Sequence, residues 1–270
     1  MLPLYAVFGH PIAHSRSPDI HALFAAQEGV AVRYERRLVE GSLHDALLPF
    51  AAAGGSGANV TVPCKEEAFH LCAERSVRAE QAGAVNTLIR LPENAWRGDN
   101  TDGIGLVNDI TRLGVSLRGA KVLLLGAGGA VRGVLGPILA ENPAAVTVAN
   151  RTAAKAHTLA ALFDVQAALF SELAGTRFDV VINGTSASLA GENLPLPSNI
   201  FEQAKLAYDM MYAPQDTPFL RQARGGGAQH CADGLGMLVG QAAASYALWR
   251  GFEPELEPVL HTMRERLRHA

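Results

Sequence analysis

From Leu4 onward, short apolar runs alternate with stretches of helical period. "LYAVFG" reads as a strand, and "SPDIHALFAAQEG" opens on a serine-proline pair and closes at Gly29, the signature of a helix. "VRYERRLV" follows as a strand, "SLHDALLPFAAAGG" as a helix and "GANVTV" as a strand. Such alternation predicts a parallel sheet covered by helices, with function at the carboxyl ends of the strands. A second alternating unit begins near Arg118. There "AKVLLLGAGGAVRGVLGPILAEN" runs an apolar strand into glycines that open a helix, and "AAVTVANRTAAKAHTLAALF" and "FDVVINGTSAS" follow at βαβ spacing. The tail, "GMLVGQAAASYALWRGF" to "PELEPVLHTMRERLRHA", carries two helical patterns with no strand between them. The expected class is a two-domain α/β fold: an N-terminal α/β domain, then a Rossmann-like nucleotide-binding domain, with a C-terminal helix returning to the first.

At 270 residues the chain can bury two cores of ordinary size. The hydrophobic fraction of 49% with 18% charged residues describes a globular protein, and a formal net charge of −3 offers no basic field for nucleic acid or anionic membrane. Small-molecule chemistry fits better. Cys64, Cys72 and Cys231 are odd in number and lie in no metal-ligand spacing, so they read as reduced thiols in a cytoplasm. His10, His14 and His21 show no metal-site spacing either, and no metal is expected. The start of the chain lacks a signal-peptide pattern. The longest charge-free run, Ala46 to Cys64, contains prolines, glycines, Ser56 and Asn59, which exclude a membrane helix.

In "VLLLGAGGAVRG", Gly126, Gly128 and Gly129 are placed to let a pyrophosphate approach the backbone at a helix N-terminus, with Ala127 and Ala130 between and after them. The third glycine of the usual fingerprint is replaced by Val131. At the end of the next strand an NAD site usually carries an acid, whereas "VTVANRTAAK" offers Asn150, Arg151 and Thr152, with Lys155 one helical turn on. A cation there suits a 2′-phosphate, so NADP is favoured over NAD. Helix capping by Asn150 or Thr152 is the plainer alternative. Upstream, Ser15 and Ser17 lie between a strand and a helix, where two hydroxyls can donate to a carboxylate in a field that favours anions, or where Ser17 simply caps the helix. "GDNTDGIG" supplies Asp99, Asn100 and Asp102 in a turn. Its cation partner would be Lys65, one of four lysines among 23 basic residues.

Taken together, "GHPIAHSRSPDIH", "NVTVPCK", "GAVNT", "GDNTDGIG", "GAGGAVRG", "NRT", "INGTS", "YDMMYAPQDTPFL" and "DGLGMLVGQAA" resemble the shikimate dehydrogenase family over nearly the whole chain. The resemblance implies reversible hydride transfer between NADPH and 3-dehydroshikimate, giving shikimate. It further implies that Ser15 and Ser17 hold the substrate carboxylate, that Thr61, Asn86 and Gln241 bind hydroxyls, and that Tyr212 borders the substrate. Lys65 and Asp102 would be the catalytic pair. Ala127, Gly128 and Gly129 would contact pyrophosphate, Asn150, Arg151 and Thr152 the 2′-phosphate, and Thr185, Met210, Gly234 and Met237 the path from adenosine to nicotinamide. Cys64 and Ser188 depart from the family pattern, the latter standing where glycine is common.

The chemistry is consistent with those roles. Hydride addition to a ketone builds negative charge on oxygen, which a positioned ammonium stabilises and then protonates. A lysine near its ordinary pKa of about 10.4 is a slow base at neutral pH, so partial burial would help the oxidation direction. The expected division places residues 1–102 and 239–270 in a substrate domain and 103–238 in an NADP domain. A quinate/shikimate dehydrogenase of broader specificity is one rival, and a catalytically silent NADP-binding regulatory protein is another. The expected partners are small molecules, with no nucleic acid and no membrane, in a monomer or homodimer.

Overall fold

The structure is a computed structural model describing residues 2–269. Its first elements are β1 (Leu4–Gly9), α1 (Ser17–Glu28), β2 (Arg33–Leu38), α2 (Leu43–Ala52), β3 (Gly55–Val60), α3 (Lys65–Leu71), β4 (Glu74–Arg75), α4 (Val77–Ala82), β5 (Thr87–Arg90) and β6 (Trp96–Asp99). Then come α5 (Asp102–Arg112), β7 (Lys121–Leu125), α6 (Gly129–Ala140), β8 (Ala145–Asn150), α7 (Ala153–Phe163), β9 (Gln166–Leu169), β10 (Val180–Asn183) and β11 (Leu206–Asp209). The chain closes with α8 (Pro218–Gly225), β12 (His230–Asp233), α9 (Leu235–Arg250) and α10 (Leu256–Arg268).

Two compact units result. One comprises Met1–Gly105 and Val239–Met263, the other Leu106–Leu238 and Arg264–Ala270. Residues 103–105 thus group with the first unit, the boundary falling within α5, and the last turn of α10 groups with the second.

The first unit holds a six-stranded sheet in the order β2-β1-β3-β5-β6-β4. Only part of it matches the expected parallel sheet. β1 pairs parallel with β2 and β3, but β5 runs antiparallel to both β3 and β6. The short connection from β5 to β6 imposes the second of these pairings, since neighbouring parallel strands need a crossover of a dozen or more residues. One core of Leu4, Ala6, Phe8, Leu43, Phe50, Val60, Leu88 and Trp96 fills the unit between this sheet and α2. On α9, the Trp249 indole donates to the Leu88 carbonyl at 3.0 Å and stacks on Tyr5, fastening the returning helix to the sheet.

The second unit is a wholly parallel sheet, order β12-β11-β10-β7-β8-β9. Counted within the unit, this is the doubly wound order 3-2-1-4-5-6, whose switch point falls between β7 and β10. Strand residues alternate between two cores: Val122, Leu124, Val148, Val180 and Ile182 face one side, and Leu123, Leu125, Ala149, Val181 and Ala207 the other. Burial on both faces explains why these strands read as continuous apolar runs.

Candidate active site

In the first unit, strand ends and helix starts gather the polar residues. Lys65 is the first residue of α3 and Asp102 the first of α5, and the ammonium donates to Asp102 Oδ2 at 2.6 Å. Lys65 is 27% and Asp102 16% exposed, so the pair is shielded but reachable. The other carboxylate oxygen, Oδ1, accepts from Asn86 Nδ2 at 2.8 Å, and Asn86 also reaches Gln241 Oε1 at 3.3 Å. Asn86 is itself held by Thr101, whose amide donates to Asn86 Oδ1 at 2.9 Å. Four of the expected residues thus meet: Lys65, Asn86, Asp102 and Gln241. Asp99, three residues before Asp102, is spent elsewhere. It is 1% exposed and accepts from Ser76 at 2.6 Å and from both ends of the Arg78 fork.

Ser15 and Ser17 hydroxyls lie 3.3 Å apart at the start of α1. Arg16 is the N-cap residue and its side chain makes no capping bond, while the Ser17 amide, the first of the helix, donates to Ser15 Oγ at 3.3 Å; the capping alternative for Ser17 itself is therefore not realised. Arg36 Nε donates to the Ser15 carbonyl at 2.9 Å, fixing that loop. Thr61 follows β3, its amide donating to the Phe8 carbonyl at 2.8 Å, with its methyl against the face of Gly9.

Asn59, legible in sequence only as a polar position in an apolar run, is a junction of the first unit. Its Oδ1 accepts from the Tyr34 hydroxyl at 2.7 Å and from His21 Nε2 at 3.2 Å, while its Nδ2 donates to Ser245 Oγ at 3.0 Å and to the Asn86 carbonyl at 3.2 Å. Asn59, His21 and Ser245 are buried, and Asn59 lies one link from Asn86. Because Asn59 Oδ1 is an acceptor, His21 donates from Nε2 and its buried Nδ1 stays without a partner. Burial pushes His21 down to about 3, outweighing the Asn59 bond that favours the charged form. Cys64, between Thr61 and Lys65, is buried in the core, and burial raises its thiol.

In the second unit, the glycine-rich turn follows β7. Gly126 adopts φ +108°, where a side chain is strained, and a Cβ there would stand 3.2 Å from the Thr185 methyl and 3.3 Å from the Gly184 carbonyl. Gly128 is the N-cap of α6 with no side-chain cap, and a Cβ at Gly128 or Gly129 would meet nothing within 4 Å. Open space over uncapped amides at a helix N-terminus suits a pyrophosphate. Ala127 is half-buried and Ala130 exposed beside them. Val131 is fully buried, and a Cβ on Gly184 across from it would come within 2.5 Å of its Cγ2. The small residue that the fingerprint places on the helix therefore lies at Gly184 instead.

Asn150 ends β8 and donates to the Thr152 carbonyl at 3.1 Å. Thr152 is the N-cap residue of α7, yet its side chain makes no capping bond, and Arg151, Thr152 and Lys155 are all exposed. The capping alternative fails here too, since neither side chain reaches a first-turn amide. Two cations and an open helix start at the end of the second strand fit the 2′-phosphate of NADP better than the two hydroxyls of NAD. Thr185 hangs on Asn183, donating to its Oδ1 through both amide (3.0 Å) and hydroxyl (2.7 Å). Met210 follows β11, Gly234 donates its amide to the Met211 carbonyl at 3.0 Å, and the Met237 amide donates to the Tyr208 hydroxyl at 3.2 Å. Tyr212 is half-buried in the loop after β11. No group of three or more His, Cys, Asp or Glu among the described residues could hold a metal ion, and no helix among them is long and apolar enough to cross a membrane.

A doubly wound unit with an open glycine turn, in one chain with a unit carrying a shielded lysine-aspartate pair, defines the class: a dinucleotide-dependent oxidoreductase. Family models agree along the chain. Residues 7–88 match the shikimate dehydrogenase substrate binding domain, 107–192 shikimate / quinate 5-dehydrogenase, and 234–265 the shikimate 5'-dehydrogenase C-terminal domain. The chain is 56% identical to shikimate dehydrogenase (NADP(+)) of Dechloromonas aromatica and 52% identical to that of Cellvibrio japonicus, each alignment covering 99% of both proteins. The crystal structure of shikimate 5-dehydrogenase from Thermus thermophilus, in complex with NADP(H) and shikimate, superposes with a TM-score of 0.90 at 33% identity, covering 99% of this chain and 100% of that one. The chain belongs to the shikimate dehydrogenase family.

Proposed function

We propose that the protein catalyses the reversible NADPH-dependent reduction of 3-dehydroshikimate to shikimate, with Lys65 and Asp102 as the catalytic pair. The observation that carries this reading is the 2.6 Å ion pair whose far oxygen is held by Asn86. NADP is the hydride donor and acceptor. Its pyrophosphate would lie on Ala127, Gly128, Gly129 and the start of α6, and its 2′-phosphate by Asn150, Arg151, Thr152 and Lys155. Ser15 and Ser17 would donate to the substrate carboxylate, and Thr61, Asn86 and Gln241 would hold hydroxyls.

In the reducing direction, the substrate oxygen gains negative charge as hydride reaches its carbon. The Lys65 ammonium stabilises that charge and gives up one proton to complete the alcohol, leaving a neutral amine that reloads from solvent. Oxidation runs the same transfer in reverse. Asp102 orients the ammonium, and Asn86 keeps Asp102 from rotating away.

Initial rates of NADPH formation with shikimate and with quinate, each with NADP⁺ and NAD⁺, test the reading. Rates confined to shikimate with NADP⁺ support it. Comparable quinate or NAD⁺ rates move the protein to the broader reading that the shikimate / quinate family model admits. No rate with any pair makes it a silent NADP-binding protein. Lys65→Ala should lower turnover by about 10²- to 10⁴-fold, the range for a lost general acid-base group. Unchanged turnover removes Lys65 from the chemistry.

A further inference from the structure

Asp209, the last residue of β11, carries a fully buried carboxylate that the proposed chemistry does not use. Its Oδ1 accepts from Asn183 Nδ2 at 3.0 Å and from the Met211 amide at 3.1 Å. Its Oδ2 accepts from the hydroxyls of Ser188 and Thr217, each at 2.5 Å. Both hydroxyl oxygens already accept a bond from an N–H: Thr217 from the Leu220 amide at 3.3 Å, and Ser188 from Asn183 Nδ2 at 3.4 Å. Their protons are therefore placed to bond Asp209; burial raises the carboxyl's pKa, and the bonds from Ser188, Thr217, Met211 and Asn183 oppose that rise by favouring the charged form.

The donors come from one strand end and two loops. Asn183 is the last residue of β10 and Ser188 lies in the loop after it, and Met211 and Thr217 belong to the loop after β11. Through Asn183 the link continues to Thr185, whose amide and hydroxyl both rest on Asn183 Oδ1. Gly184, between them, leaves room for Met210, since a Cβ there would lie 3.1 Å from the Met210 sulfur. One carboxylate thus sets Thr185 on one side and Met210 on the other.

We propose that Asp209 is a positioning residue, held by the Ser188 hydroxyl, that locks the loops 183–188 and 209–217 into one arrangement for binding NADP. This rests on the reading of Thr185 and Met210 as coenzyme contacts. Ser188 is the sensitive point, because its hydroxyl bridges Asn183 and Asp209 while its side chain is partly exposed.

The test compares wild-type protein with Ser188→Ala, Ser188→Thr and Asp209→Asn, using calorimetric titration with NADP⁺ and initial rates at saturating shikimate. Ser188→Ala should raise the Kd and KM for NADP⁺ about 10-fold, the scale of one hydrogen bond to a buried charge. Its kcat should fall less than KM rises, and the KM for shikimate should stay within about two-fold. Ser188→Thr, which keeps the hydroxyl, should restore most of the loss. Asp209→Asn should go further in the same direction if it folds, and the Ser188 pair decides the matter if it does not. A purely stabilising role would lower kcat with the folded fraction and leave Kd and KM alone, which overturns the proposal. Failure of the functional reading would look different: a wild-type protein that binds NADP⁺ yet does not oxidise shikimate, with the calorimetric comparison still deciding Asp209.

Discussion

Arg151 stands exposed at the end of β8, next to a helix start that no side chain caps. A guanidinium there adds a charge-assisted bond to a 2′-phosphate and nothing comparable to a 2′-hydroxyl. Arg151→Ala should therefore raise the KM for NADP⁺ by about 10-fold or more while leaving the KM for NAD⁺ nearly unchanged. Steady-state kinetics with both coenzymes measures this, and an equal change for both would remove Arg151 from the discrimination. Residues of this kind are legible in sequence because a cation replaces an expected acid at a fixed place after a strand. The Lys65–Asp102 contact is not legible that way. The two residues are 37 positions apart, and the sequence offered Lys65 only as a candidate cation for the turn, which the family resemblance then made a pair. Asn59 left even less trace: one asparagine in "GANVTV" reads as a polar strand position, and its role as a junction appears only once Tyr34, His21, Ser245 and Asn86 surround it.

At the scale of elements, α1 shows how a polar residue can anchor a helix. His21 stacks on Tyr34 of β2 at 4.4 Å between ring centroids and donates to Asn59 of β3, so one neutral imidazole ties α1 to two strands. Its pKa is pushed down to about 3 in the folded protein, against about 6.5 unfolded. The folded state therefore binds fewer protons there. The stability this group contributes is fully present above pH 6.5 and is lost as pH falls toward 3. Wild-type protein should lose about 1.4 kcal/mol per pH unit from this residue below pH 6. His21→Gln, less stable at neutral pH, should lack that part of the slope. Urea unfolding between pH 5 and 7 checks it, and parallel slopes in the two proteins would show that His21 already charges in the fold. The apolar strands β1, β7, β8 and β10 and the helices α1, α2, α6, α7, α9 and α10 were readable from pattern alone. β4, β5 and β12 were not, because two to four residues such as Glu74–Arg75 or "HCAD" carry no period and are strands only by virtue of their neighbours.

Over the whole molecule, each unit has its own sheet and its own core, and the proposed ligands divide between them. Substrate groups are assigned to Ser15, Ser17, Thr61, Lys65, Asn86, Asp102 and Gln241, all in the first unit. The glycine turn, Arg151, Thr185 and Met210 are in the second. A ligand at 100 times its Kd stabilises the state that binds it by about 2.7 kcal/mol, which slows amide exchange through ligand-releasing openings by about 100-fold. NADP⁺ alone should therefore slow exchange around residues 121–135, 147–153 and 183–188, and shikimate alone around 15–20, 59–66 and 86–102. Hydrogen exchange read by mass spectrometry resolves these segments. Shikimate protecting the glycine turn while leaving residues 59–66 unchanged would contradict the division of roles, even in a protein that turned over both ligands. The expected pattern would assign coenzyme and substrate to separate sheets before any catalytic residue is altered.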